Sequence, residues 1–131
     1  MDTYQGTKTV KAEPMTRTDA EKLLGREIEP ATPGNEGYLV EYPDGYKSWS
    51  PKEVFENTYK VISTPLDRMY REIDELVERF NKLDAFMKTD KFLALPPDID
   101  GLLEIQYGAM MAYNHALQLR AAKMKEPEPK Q

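Results

Sequence analysis

The chain has 131 residues, a formal net charge of -5, no cysteine and one histidine. That length holds one modest core or two small modules, and so small a core is marginal unless another copy shares it. The missing thiols exclude disulfides, iron–sulfur clusters and cysteine catalysis, one histidine leaves little for zinc, and acids spread through both halves argue against a face that neutralises DNA or RNA phosphates.

No apolar run approaches the roughly 20 residues of a membrane helix, and the opening "MDTYQGTKTV" lacks the basic start and apolar middle of a signal peptide. Neither membrane insertion nor export is expected, and the compartment reads as cytosolic. "KTVKAEP", residues 8–14, alternates like a short strand that stops at proline. "TRTDAEKLLG" pairs Thr18 with Glu21 as a capping box and ends at Gly25, a C-terminal cap, which predicts a short helix. "EPATPGNEG" is then a loop.

"GYLVEYPDGYKSWSP" places two aromatic and β-branched runs around Pro43, Asp44 and Gly45, a turn in which proline fixes φ and glycine accepts φ > 0. A β-hairpin is predicted. Ser50, Pro51 and Glu53 read as an N-cap, a first-turn proline and a capping-box acid, so "SPKEVFENTYK" is expected to be a helix whose Val54, Phe55 and Tyr59 cover the sheet.

The second half opens on "STPLD", in which Thr64 caps, Pro65 occupies the first turn and Asp67 favours the positive end of a helix. Leu66, Met69, Ile73, Leu76, Phe80, Leu83 and Met87 then recur in steps of three and four. After the double proline of "DKFLALPPD", a second stripe runs through Ile99, Leu103, Gln106, Met110, Tyr113, Leu117, Arg120 and Met124. Two long helices with a short connection fold back on each other. Tyr70, Val77, Leu102 and Met111 fall beside these stripes and are expected to pack on other copies. Gly101, Gly108, Ala112 and Ala116 are either a strip for close helix approach or ordinary helix positions.

The expected architecture is α+β. Residues 1–62 form a small antiparallel β-sheet domain with short helices, 63–125 a long antiparallel helical hairpin, and 126–131 a disordered tail.

Catalytic groups are scarce. Glu72, Glu75 and Glu78 read as a solvated outer face, His115 has no second histidine or cysteine, and "ATPGNEG" is not a phosphate loop, so no metal, cofactor or enzymatic activity is expected. Binding has a better basis. In an antiparallel hairpin Arg68 and Arg120 share one end, and with Arg71 and the Tyr113 hydroxyl they form a local anion site suited to phosphate oxygens. The alternative is that Arg120 pairs with Asp67 or Glu72. Phe92, in the connection, either stacks a base or caps the hairpin core. Each long helix spans roughly 35 Å, so Phe92 and the two arginines meet only across an antiparallel pair of hairpins.

The stretch "ELVERFNKLDAFMKTDKFLALPPDIDGLLEIQYGAMMAYNHALQLR", with its K-L-x-A-F, its F-x-x-L and the L-L, Q, M, Y, L and R that follow, resembles the helical hairpin of bacteriophage sponge proteins. These are the first-described Thoeris anti-defence family and its shorter anti-CBASS relative. "VKAEPMT" and "GYLVEYPDGYKSWSPKEVF" look like the small β domain that precedes the hairpin in the Thoeris type. The resemblance implies binding without cleavage of cyclic nucleotide immune signals in the infected host's cytoplasm. Its ligands are glycocyclic ADP-ribose isomers and, in related members, cyclic di- and trinucleotides. It implies dimers assembling to hexamers with pockets between subunits. Carried over by position, ligand-binding roles fall on Arg68, Phe92 and Arg120, with Gln106 and Tyr113 as further polar contacts or pocket wall. The family's polar contact early in the second helix falls near Leu102 or Leu103, a departure that bears on ribose and isomer preference. The rival expectation is a phage structural or protein-inhibitor module that acts through the acidic hairpin face and takes no small molecule.

Overall fold

The structure is a computed structural model that describes residues 1–29 and 34–126. The middle of the predicted loop, residues 30–33, and the predicted tail from residue 127 onward lie outside the described residues. The fold class is α+β, with a small antiparallel sheet followed by long helices. The chain divides into two compact units, Met1–Lys60 and Val61–Gln131.

The first unit is a three-stranded antiparallel sheet, order β1-β2-β3, formed by β1 (Lys11–Pro14), β2 (Gly37–Glu41) and β3 (Lys47–Pro51). The hairpin turn forms where the proline–aspartate–glycine signal falls. Gly45 takes φ 90, the Tyr42 amide donates to the Tyr46 carbonyl at 2.8 Å, and the Asp44 carboxylate accepts from the Tyr46 amide at 3.0 Å. The register pairs Leu39 with Trp49 and Val40 with Ser48. Leu39, Val40 and Trp49 are buried, as is Ala20 of helix α1 (Arg17–Leu24), with Leu39 and its partner Trp49 on one face of the sheet and Val40 on the other by strand alternation. The indole Nε1 donates to the Met15 carbonyl at 2.7 Å. On the other side Phe55 of α2 (Lys52–Thr58) stacks on Tyr38 at 4.3 Å and on Tyr59 at 5.0 Å, while Val54 is exposed.

Two caps differ from expectation. Helix α1 is capped by Thr16, whose hydroxyl accepts from the Asp19 amide at 3.2 Å, because Thr18 is committed to the Asn35 side chain. Glu21 therefore serves elsewhere, accepting from the Ile28 amide. Ser50 does not cap α2, since it sits in β3 opposite Tyr38, and Pro51 precedes the helix with no side-chain cap.

The second unit is a helical hairpin of α3 (Pro65–Phe86), a short α4 (Asp90–Leu93) in the connection, and α5 (Pro97–Lys125). Thr64 and Asp67 form a reciprocal capping box with both bonds at 3.0 Å. Thr89 caps α4 with its hydroxyl alone, which accepts from the Phe92 amide at 3.4 Å, a signal that the double proline nearby obscured in the sequence. The core joins Met69, Ile73 and Leu76 of α3 to Leu117 and Ala121 of α5, with Leu66, Tyr70, Val77 and Met110 packed around them. All seven stripe positions of α3 are buried or half-buried.

On α5 the packed line is shifted from the predicted one. Leu103, Tyr107, Met110, Asn114, Leu117 and Ala121 are buried or half-buried, whereas Ile99, Gln106, Tyr113, Arg120 and Met124 are exposed along one flank. The reason lies in helix periodicity. Both lines obey the same alternation of four and three residues, and α5 is apolar on so much of its circumference that spacing alone does not fix which line faces α3.

Candidate functional site

The hairpin register follows from contacts between α3 and α5. Lys125 lies over the Tyr70 ring at 5.2 Å, the Tyr113 hydroxyl donates to the Glu72 carboxylate, and Phe80 packs on Tyr107 at 4.7 Å. These pairs make the helices antiparallel and set the ends of the hairpin. Arg68 stands one turn before Glu72 on α3, and Arg120 stands two turns after Tyr113 on α5. Both continue the same flank toward the open end.

Four of the five predicted site residues thus line one flank. Gln106 is midway, within 3.9 Å of the Met110 sulfur, then come Tyr113 and Arg120, with Arg68 beside them across the hairpin. Arg68 is exposed and donates through Nη1 to the Ile62 carbonyl at 3.0 Å, which orients its stem along the start of α3. Arg120 is exposed, and among the described residues neither guanidinium forms an ion pair. The carboxylates weighed as partners for Arg120 are engaged otherwise: Asp67 in the capping box, Glu72 with Tyr113. Arg71 is held by Glu75 at 2.9 Å.

Phe92 is not brought to these residues. It is buried at the closed end of the hairpin, edge-on to Phe86 at 6.2 Å, so within one chain it acts as a cap on the core. A pocket containing both Phe92 and Arg120 requires residues from two chains.

Two features of the hairpin escaped sequence reasoning. The Tyr107 hydroxyl donates to Asp84 at 3.1 Å, and Lys88 donates to the same carboxylate at 3.1 Å. Lys88 first and Tyr107 second hold the Asp84 carboxyl below the ordinary aspartate value, and the same bond from Asp84 raises the Tyr107 hydroxyl above its ordinary value. The second feature is an open groove of about 250 Å³ lined by Val77, Phe80, Met111, Asn114, His115 and Gln118. It lies on the flank opposite Gln106 and Tyr113; the spacing of Met111, His115 and Gln118 was its only signal.

Chemically the predicted flank can hold an anion and little else. It offers two exposed guanidiniums and an amide, beside a phenol whose hydroxyl donates to Glu72. Among the described residues no three histidine, cysteine or carboxylate groups cluster as metal ligands, and no helix is long and apolar enough to cross a membrane.

Comparison with known proteins places residues 63–123 in a match to the Sequestin family model, spanning α3, the connection and nearly all of α5. No curated protein and no solved structure matches the chain. The matched stretch coincides with the hairpin on which the arginines, Gln106 and Tyr113 are arranged, so over residues 63–123 the chain is similar to the Sequestin family.

Proposed function

We propose that the protein is a phage counter-defence sponge that binds and sequesters cyclic nucleotide immune signals, with glycocyclic ADP-ribose isomers as the first candidates and cyclic di- and trinucleotides as the related class. It does not cleave them. By holding the signal in the cytoplasm of the infected host it blocks Thoeris immunity and, for the di- and trinucleotide signals, CBASS. The observation that carries the reading is the pair Arg68 and Arg120 at one end of the hairpin, neither in an ion pair among the described residues, in a chain of net charge -5. Arginine suits such a site because its planar fork matches phosphate oxygens. The Sequestin match supports a sequestering role for the same residues. The working form is a homo-oligomer, dimers assembling to hexamers, because Phe92 and Arg120 sit at opposite ends of one hairpin and line one pocket only when two chains meet.

A thermal-shift panel with glycocyclic ADP-ribose isomers and cyclic di- and trinucleotides tests the proposal. A ligand that binds only the folded state adds roughly 2.7 kcal/mol at 100 times its dissociation constant. The expected result is an upward shift with one class that is lost in Arg120→Ala and weakened in Arg68→Ala, with intact ligand recovered after heat denaturation. No shift with any of them overturns the sponge and points to a protein partner; a cleaved ligand makes the protein an enzyme.

A further inference from the structure

The acids of α3 do not behave alike. Glu75 and Glu78 are exposed on its outer side, where Arg71 holds the first at 2.9 Å and Lys82 the second at 3.3 Å. Glu72, which the sequence placed with them, is half-buried, turned toward α5, and forms no ion pair among the described residues. A carboxylate partly removed from water is ordinarily matched by a cation. Arg68 stands one turn before Glu72, within ion-pairing reach on a helix, yet it donates to the Ile62 carbonyl instead. The partner that Glu72 does have is a hydroxyl, that of Tyr113.

The flank therefore keeps its charges apart. Two guanidiniums lie toward the open end, and one carboxylate lies a turn deeper, accepting from a hydroxyl. Such a carboxylate discriminates among anions. It repels phosphate oxygens, which accept but do not donate, and it attracts hydroxyl groups strongly, because hydrogen bonds to an ionised acceptor are about twice as strong as neutral ones. A sugar phosphate presents both kinds of group close together. Glu72 and Arg68 are about 5.4 Å apart along the helix axis, one turn, which is comparable with the separation of a phosphate from a hydroxyl of the ribose that bears it.

We infer that Glu72 is the specificity-determining residue of this flank and reads sugar hydroxyls, so that the ligand selected is a ribose phosphate with a free hydroxyl rather than a bare polyphosphate. The Tyr113 hydroxyl takes, within the chain, the place of the sugar hydroxyl. On binding, the two exchange: the ribose hydroxyl donates to Glu72, and the Tyr113 hydroxyl donates to a phosphate oxygen beside Arg68. Every donor and acceptor keeps a partner, so the half-buried carboxylate is never left unmatched. That the ribose phosphate is a cyclic nucleotide rests on the function proposed above.

Two probes separate charge from hydroxyl. Pyrophosphate carries charge alone, and ADP-ribose carries the same group with free ribose hydroxyls. Both are titrated into the full chain and followed by the chemical shifts of its backbone amides. Removing a negative charge favours both probes, so the readout is the ratio of their affinities. Glu72→Ala is expected to lower the preference for ADP-ribose over pyrophosphate about tenfold or more, the worth of one hydrogen bond to a charged group. Glu72→Gln, which keeps an acceptor oxygen without the charge, is expected to retain part of the preference, and Glu78→Ala all of it, with helical circular dichroism the same in each variant. An unchanged ratio in Glu72→Ala, whether both affinities hold or both rise, overturns the inference and keeps the arginine flank as an anion site. So does a wild type that binds pyrophosphate as tightly as ADP-ribose. A wild type that binds neither probe removes the anion site itself, and the inference with it.

Discussion

Leu117 and Leu119 are the same residue type two positions apart on α5, yet one is 1% exposed and the other 58%. Truncating each to alanine therefore separates the two faces of the helix. Leu117 is enclosed by Met69, Ile73, Leu76 and Ala121, and its removal leaves a cavity between helices held rigid by a capping box at the start of α3. Within the range found for buried leucines, Leu117→Ala is expected to cost about 3 kcal/mol. Leu119 has more than half its surface in water within one chain, so Leu119→Ala should cost less than about 1 kcal/mol when chains are apart. Urea unfolding followed by far-ultraviolet circular dichroism, at several protein concentrations, distinguishes the contributions. The Leu117 penalty should be the same at every concentration, because its contacts lie within the hairpin. The Leu119 penalty should grow with concentration if copies associate through the side of α5 turned away from α3. Equal penalties at low concentration would refute the assignment of which side of α5 faces α3.

Three further outcomes are expected. Gly37→Ala should destabilise the first unit by about 1–3 kcal/mol, because its added Cβ would collide with the Ser50 carbonyl and the Trp49 indole, and wild-type stability in thermal unfolding would contradict that packing. Thr64→Ala removes the hydroxyl that accepts from the Asp67 amide and should cost about 1 kcal/mol in urea unfolding of the hairpin. The Asp84 carboxyl is held below its ordinary value of 3.8 by Lys88 and Tyr107, so its stabilisation is present above that pH and disappears as pH falls through the lowered folded-state value. Acid unfolding of Tyr107→Phe should lose part of that dependence, and a pH profile superimposable on the wild type would show the bond to be immaterial.

Much of the fold was legible because several local signals agreed. In α3 the threonine cap, the first-turn proline, Asp67 and an unbroken apolar stripe all specified the same helix, and the β-turn combined Pro43, Asp44 and Gly45 with β-forming flanks. Failures arose where two structures wanted the same residue. Ser50 satisfies the rule for a helix cap, yet its neighbours Ser48 and Trp49 draw it into the ladder opposite Tyr38. On α5 the packed line contains Tyr107 and Asn114, whose polar tips disguise it, while the flank contains Ile99 and Met124, which look more like core. The outward displacement of Gln106 and Arg120 resolves the oddity of an amide and a guanidinium in an apolar seam: they stand beside the seam, where water or a ligand reaches them. Phe92 was read with both of its roles open, and its burial against Phe86 is a tertiary fact that the spacing of its neighbours does not encode.

Trp49 is the only tryptophan in the chain, and it lies in the sheet of the first unit with its indole bonded to Met15. Its emission therefore reports on that unit, whereas the helical signal in the far ultraviolet comes chiefly from α3 and α5. The protein carries a separate natural probe in each unit. Superimposable fluorescence and circular dichroism transitions would mean that the two halves melt as one cooperative body, and separated transitions would mean that each stands or falls independently, with the hairpin able to unfold while the sheet remains intact.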